Sequence, residues 1–249
     1  MKKFLRPKYL PWLTLALAAV AALLRLWTLG SGPDESNLYE PQPLAWALLW
    51  IVTAAAAGLN ILLTAGLKVP GTHRQNFPAS IPGSVGVLLA ALAVMLSGVS
   101  MLSGGDFLYL LTGLLGIASA MSLVAVAFAR FKGQRPNFLL HAAVCLFFAL
   151  RIFVKCRVWS NEPQIGVFIL PFLASVCVML AAYQQASFDV ELGKRRHSLF
   201  WSLMGTFFCV AALPASGEPL FYILIAAWLM TNLCSLRRIK PKVEAEEEG

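Results

Sequence analysis

The stretch FLYLLTGLLGIASAMSLVAVAFAR, residues 107–130, decides the fold of this chain. It contains no charged residue before Arg130, and it is long enough for a helix that crosses the roughly 30 Å hydrocarbon core of a membrane. Gly104-Gly105-Asp106 precedes the stretch, and a further basic residue, Lys132, follows it. The pattern predicts a transmembrane helix that begins at a polar turn and ends at a basic loop.

Seven further stretches have the same character, and each is bounded by turn residues such as Gly, Pro and Asp. Together they predict an all-α, polytopic transmembrane helix bundle with about eight crossings of about 20 residues each. The seventh stretch is the weakest, and residues 198–236 as one re-entrant hairpin are an alternative. The predicted crossings are 10–29, 43–67, 81–103, 107–130, 136–158, 163–186, 198–215 and 219–236.

The composition leaves no room for a water-soluble domain, because 59% of the residues are hydrophobic and only 13% are charged. We therefore expect residues 1–249 to form a single integral membrane domain, with an acidic, disordered tail at 241–249. The formal net charge of +8 is divided among small clusters at helix ends. A continuous basic face is absent, so the expected partner is the lipid bilayer and not nucleic acid.

The basic residues predict the orientation of the bundle. Sixteen of the twenty Lys and Arg residues lie in five short segments that alternate with connections nearly free of cations. Because cytoplasmic loops carry the excess of Lys and Arg, both termini are expected in the cytoplasm. Short outer connections and the lack of an Asn-x-Ser/Thr acceptor favour a bacterial cytoplasmic membrane. The basic segments contain Lys2, Lys3, Arg6 and Lys8; Lys68 and Arg74; Arg130, Lys132 and Arg135; Lys194, Arg195 and Arg196; and Arg237, Arg238, Lys240 and Lys242.

Three polar matches between residues 1–130 and 131–240 indicate an internal repeat. The matches keep their order and lie on the predicted outer side, which predicts a parallel 4+4 repeat about an axis along the membrane normal. An alternative is that Glu-Pro and Gly-Asp are ordinary helix-start signals. The matched segments are Leu24-Arg25-Leu26 with Leu150-Arg151-Ile152, Glu40-Pro41-Gln42 with Glu162-Pro163-Gln164, and Gly105-Asp106 with Gly217-Glu218.

Four cations on the predicted outer side break the charge rule, namely Arg25, Arg151, Lys155 and Arg157. Ionisable residues inside crossings are costly and point to function. Arg151 and Lys155 are four residues apart and share one helix face.

These cations predict an outward-facing site for an anionic ligand. In this hypothesis Arg25 and Arg151 are brought together by the repeat, and Arg151 and Lys155 bind a phosphate or carboxylate. Glu40 and Glu162 hold the two guanidinium groups in place. The alternative is that the cations reach the outer headgroups or pair with nearby carboxylates as structural clasps. The carboxylates available for this are Asp34, Glu35, Glu40, Asp106, Glu162 and Glu218.

The sequence predicts no enzyme, metal or cofactor. No Asp or Glu lies in the middle of a predicted crossing, and no metalloprotease, nucleophile-elbow or phosphate-loop motif is present. His73 and His197 fall in predicted cytoplasmic loops, and His141 is expected to stand alone near the inner end of the fifth crossing. The five cysteines form no Cys-x-x-Cys pair and are expected to be small apolar fillers. The segment 184–197 is predicted to be a polar connector, or alternatively an interfacial docking helix.

Two classes of function remain open from the sequence. The first is a permease, or the membrane subunit of a transporter, that binds an anionic or zwitterionic solute or lipid. The second is a non-transporting sensor, assembly or regulatory protein whose outer charges are structural. In either class a partner subunit, such as an ATPase or a signalling protein, is expected on the cytoplasmic loops. Small faces at Ala54 and Gly58, and at Gly113, Gly116 and Ala120, indicate close helix contacts and allow a homodimer.

Overall fold

The chain is helical throughout the part that the computed structural model describes, which comprises residues 9–30, 43–65, 72–160 and 165–236. Helix accounts for 87% of it and no strand is present there, so the predicted all-α class is confirmed. Short 3₁₀ turns at Ile165–Phe168 and Leu213–Ala215 adjoin two of the helices. The helices are α1 (Leu10–Leu29), α2 (Pro43–Ala65), α3 (His73–Asn76), α4 (Ile81–Leu102), α5 (Phe107–Phe131), α6 (Phe138–Trp159), α7 (Ile169–Asp189), α8 (Arg195–Ala212) and α9 (Pro219–Ser235).

Six of these helices are long and apolar enough to cross a membrane, which indicates a multi-pass membrane protein. They are α1, α2, α4, α5, α6 and α7, the last with the final residues of the preceding 3₁₀ turn. Helix α9 is apolar but has only 17 residues, and α8 is not apolar enough over its length to be counted with the six. The prediction of eight crossings is therefore not confirmed.

Helix α8 begins with Arg195-Arg196-His197, which lowers its mean hydropathy, and protein surrounds most of the remaining helix. It packs against α7 and α9, and also against α1 and α2. Ser202, Gly205 and Thr206 are buried among the residues that face these neighbours. Small and hydroxyl-bearing residues allow helices to approach closely inside a membrane bundle, where lipid contact does not select for hydrophobicity.

The long helices run alternately up and down, which gives the bundle two ends. At one, the Glu218 end, lie Glu218, Arg151 and the exposed ion pair of Arg157 with Asp106. At the other, the Asp189 end, lie Asp189, the C-terminal end of α5 and the N-terminal end of α6. The turn between α8 and α9 carries Glu218, so this turn lies at the same end of the bundle as the C-terminal ends of α4 and α6.

Glycines bring α4 and α5 into close contact. A Cβ atom on Gly98 would lie 3.0 Å from the carbonyl oxygen of Gly113, and one on Gly116 would lie 2.8 Å from the Cα atom of Gly98. The predicted close contact at Gly113 and Gly116 therefore exists. The small face of α2 differs, because a Cβ atom on Gly58 would meet no described atom within 4 Å and Ala54 is exposed.

The helix contacts do not confirm the 4+4 repeat. Under the repeat α4 corresponds to α8 and α5 corresponds to α9, so the extensive contact of α4 with α9 predicts an equal contact of α8 with α5. The described residues have no comparable contact between α8 and α5. The repeat also makes α6 the counterpart of α1. Helix α1 packs on α8, but α6 has no comparable contact with α4 in the described residues. The matched Glu-Pro-Gln segments at 40–42 and 162–164, and the acidic tail at 241–249, largely lie outside the described residues.

Candidate functional site

Arg151 lies at the centre of a polar cluster at the Glu218 end. Its side chain is about 1% exposed, and all three guanidinium nitrogens are used. The Nε atom donates to Ser97 Oγ at 3.2 Å, Nη1 donates to Ser175 Oγ at 3.3 Å, and Nη2 donates to a carboxylate oxygen of Glu218. The guanidinium carbon also lies 4.0 Å from the ring centre of Phe221. One side chain of α6 thereby joins α4, α7 and α9, and its charge is balanced by a carboxylate.

Lys155, one turn further along α6, binds the other oxygen of the same carboxylate. Its ammonium nitrogen lies 2.5 Å from Glu218 Oε1. Burial alone would raise the pKa of the Glu218 carboxyl, but the charges of Arg151 and Lys155 outweigh it and hold that pKa below its ordinary value. The carboxylate therefore stays ionised, and the three groups together carry one positive charge.

A groove of about 270 Å³ opens beside this cluster, between α4 and α9. Its polar wall contains Ser97, Ser100 and Glu218, whose side chain is 28% exposed. Leu96 and Leu220 form an apolar rim, and both are about half exposed. The groove therefore combines an apolar entrance with a polar wall next to a net positive charge.

Arg25 does not share the partners of Arg151. It is 2% exposed, its Nη2 atom donates to the carbonyl of Val167 at 2.8 Å, and its guanidinium carbon lies 5.7 Å from the ring centre of Trp46. Its Nε atom has no hydrogen-bond partner among the described residues. The predicted supporting carboxylates, Glu40 and Glu162, lie outside the described residues. Of the five residues predicted to form the site, the structure therefore brings together Arg151 and Lys155, with Glu218 as their common partner.

A second polar cluster, which the sequence analysis did not predict, lies at the Asp189 end. The Nδ1 atom of His141 lies 2.5 Å from Asp189 Oδ2, and the Nε2 atom of His73 lies 3.9 Å from Asp189 Oδ1. All three side chains are less than 10% exposed. The expectation that His141 stands alone is wrong.

Residues 184–197 were predicted to be a polar connector. The prediction is wrong for the first of these residues, because α7 continues to Asp189. The last turn of α7 is covered by the segment around α3, where the ring of Phe77 packs edge-on against Phe188 at 5.3 Å. The spacing of buried residues on α7 carries a signal for this. Ala174, Val178, Ala182, Gln185 and Asp189 follow one another at intervals of three or four residues, so the buried face extends to the carboxylate.

No metal-binding group of three or more His, Cys, Asp or Glu side chains was found in the described part of the chain. Comparisons with protein-family models, with curated proteins and with solved structures found no match to this chain.

Proposed function

We propose that this protein binds the phosphate-bearing headgroup of an anionic phospholipid in the groove between α4 and α9. The observation that carries the proposal is the position of the groove. It joins an apolar rim, where acyl chains can lie, to a cluster with a net charge of +1. Glu218 is the charged residue of the groove wall, and Lys155 is bound to it. Lys155 is 25% exposed and keeps ammonium hydrogens that Glu218 does not use, so we expect it to supply the contact to the phosphate.

Binding is better supported than transport. The aromatic side chains of Phe147 and Phe148 lie on α6 between the polar clusters at the two ends, and both are fully buried. A ligand that passed through the bundle along α6 would have to displace them. A permease, or the membrane subunit of a transporter, needs such a route in addition to the groove.

A second candidate is a non-transporting assembly, sensor or regulatory protein in which the charges at the Glu218 end are purely structural. The full use of the three Arg151 nitrogens by Ser97, Ser175 and Glu218 favours it. The two candidates assign different roles to Lys155. It is needed for lipid binding in the first and contributes only an ion pair in the second.

Native mass spectrometry of the detergent-solubilised protein tests the proposal. Wild-type protein, Lys155→Gln and the matched control Lys132→Gln are incubated with a phosphatidylglycerol, a phosphatidylcholine or inorganic phosphate. Lys132 is exposed near the opposite end, so its substitution removes the same charge without touching the groove. We expect the wild-type protein and Lys132→Gln to retain one phosphatidylglycerol, and Lys155→Gln to lose it at least tenfold more readily. Equal retention by the two variants contradicts the proposal, and retention of inorganic phosphate alone contradicts the lipid as its source.

We also propose that the protein lies in a bacterial cytoplasmic membrane with both termini in the cytoplasm, which turns the Glu218 end outward. The distribution of Lys and Arg supports this orientation. Reporter fusions after residue 160 and after residue 236 test it. We expect the first reporter to be active outside the cytoplasm and the second inside, and the reverse result contradicts the orientation.

A further inference from the structure

The cluster at the Asp189 end contains buried polar atoms that no described residue satisfies. His73 Nδ1, Asp189 Oδ1 and Thr72 Oγ1 all lack a hydrogen-bond partner in the described part of the chain. His73 and Asp189 line a cavity of about 10 Å³, together with His141 and Gln185, among others. This volume holds about one water molecule, and buried water usually satisfies two to four otherwise unpaired polar groups.

We infer that His73, His141 and Asp189 form a buried proton-binding site that holds one water molecule. The two imidazoles approach different oxygens of the same carboxylate, at 2.5 Å and 3.9 Å. An aspartate between two histidines can share a proton with either of them, because imidazole binds and releases protons near neutral pH. The site is independent of the lipid groove, which lies at the other end of the bundle.

The geometry gives each group a role in proton uptake. With both histidines neutral, His141 donates its Nδ1 hydrogen to Asp189 Oδ2, and Oδ1 faces His73 Nε2 beyond hydrogen-bond distance. A hydronium ion then transfers its proton to His73 and leaves as water. The resulting imidazolium donates from both ring nitrogens, from Nε2 to Asp189 Oδ1 and from Nδ1 to the water in the cavity. Uptake therefore gives Asp189 Oδ1 a hydrogen bond that the neutral site lacks.

The charges around the site set the acidity at which this happens. Burial lowers the pKa of His73 to about 4; Asp189 acts to raise it, and Arg130, His141 and Arg135 act to lower it. The neighbouring groups on the other packed elements are the Asn232 amide, which accepts from Arg130, and Arg195 of α8, which donates to Asn76 beside His73. Asp189 is the acidic group that Arg130 and the two histidines face.

Proton uptake is coupled to the segment that covers this end. His73 lies on α3, and the same segment holds Phe77, which packs on Phe188 and lies 4.4 Å below the guanidinium carbon of Arg130. A charged His73 is attracted by Asp189 and repelled by Arg130, so we expect its position to change on protonation. The position of α3 is therefore linked to the protonation of the site.

Nuclear magnetic resonance of the full-length, ¹³C-histidine-labelled protein in detergent micelles tests the inference. The chain has three histidines, and each signal is assigned by substituting Gln for the residue. His197 is exposed and provides the matched control, His197→Gln. Because Asp189 favours the charged form of His73 and His141 opposes it, we expect opposite shifts in the two variants. The midpoint of the His73 titration should fall by about one pH unit in Asp189→Asn and rise in His141→Gln.

The result that overturns the inference is a His73 midpoint that is the same in wild-type protein, Asp189→Asn and His197→Gln. If Asp189→Asn does not give folded protein, His141→Gln alone decides, and an unchanged midpoint in that variant overturns the inference. Elemental analysis adds a second criterion. A stoichiometric metal ion in the purified protein would mean that a cation other than the proton occupies the site, which also overturns the inference.

Discussion

The two ends of the bundle solve the same electrostatic problem with different side chains. At each end one carboxylate lies between two basic groups on other helices or segments. Glu218 pairs with a guanidinium and an ammonium, whereas Asp189 lies between two imidazoles, the basic side chain whose ordinary pKa is nearest to neutral pH. The first arrangement joins α6 to the start of α9 through an ion pair. The second is the arrangement that we infer to bind a proton.

The two clusters also differ in what can reach them. Glu218 is 28% exposed and borders a groove of about 270 Å³, which is large enough for a headgroup and the start of its chains. The Asp189 side chain is 1% exposed and borders a cavity of about 10 Å³. The difference in size is consistent with the lipid headgroup that we propose for one end and the water molecule that we infer for the other.

The largest effect should come from breaking the permanent charge pair. Arg151→Gln leaves Glu218 partly buried beside Lys155 alone and removes the donors to Ser97 and Ser175. Removing one partner of a buried ion pair costs about 3–5 kcal/mol, so we expect a loss of that order in the free energy of unfolding in detergent. Arg157→Gln is the matched control, because its pair with Asp106 is exposed and such pairs are worth about 0–1 kcal/mol. Equal stability of the two variants would show that Arg151 does not join the helices.

A smaller effect should distinguish the end that responds to pH. The pKa of His73 lies below its ordinary value of 6.5, at about 4, so the unfolded chain binds more protons than the folded one between these values. Stability is therefore full above pH 6.5 and falls as the pH drops toward 4, by about 2–3 kcal/mol. We expect His73→Gln to lack this component when thermal unfolding is measured across the range. A difference between wild-type protein and His73→Gln that does not change with pH would refute the assignment.

The smallest effect should separate the two cations that share Glu218. Lys155 is 25% exposed and Arg151 about 1% exposed, so water already screens the ammonium. We expect Lys155→Gln to lower the free energy of unfolding by about 1 kcal/mol or less, and the loss to shrink further in high salt. The measurement is denaturation at low and high ionic strength. A loss as large as that of Arg151→Gln would mean that the ammonium is as structural as the guanidinium.

How far the sequence predicts this molecule depends on which neighbours a residue meets. Apolar length and turn residues predict the helices, since both act within a few residues, and α5 ends one residue after the predicted Arg130. His141 was predicted to stand alone, but the other members of its cluster are Asp189 on α7 and His73 on α3. Only the packing of the bundle brings these three residues together. Residues 198–215 were predicted as a crossing, but α8 begins three residues earlier. The basic residues of its first turn, Arg195, Arg196 and His197, keep it outside the six helices that are apolar enough to cross a membrane.

The central position of α8 has a consequence for how the chain is made. Helix α8 packs against α1, α2, α7 and α9, and α9 is synthesised after it. The packing of α8 is therefore completed only when α9 has been made. We expect a chain that stops after the turn at Ser216 to leave the face of α8 that packs against α9 uncovered, and so to be degraded faster than the full chain.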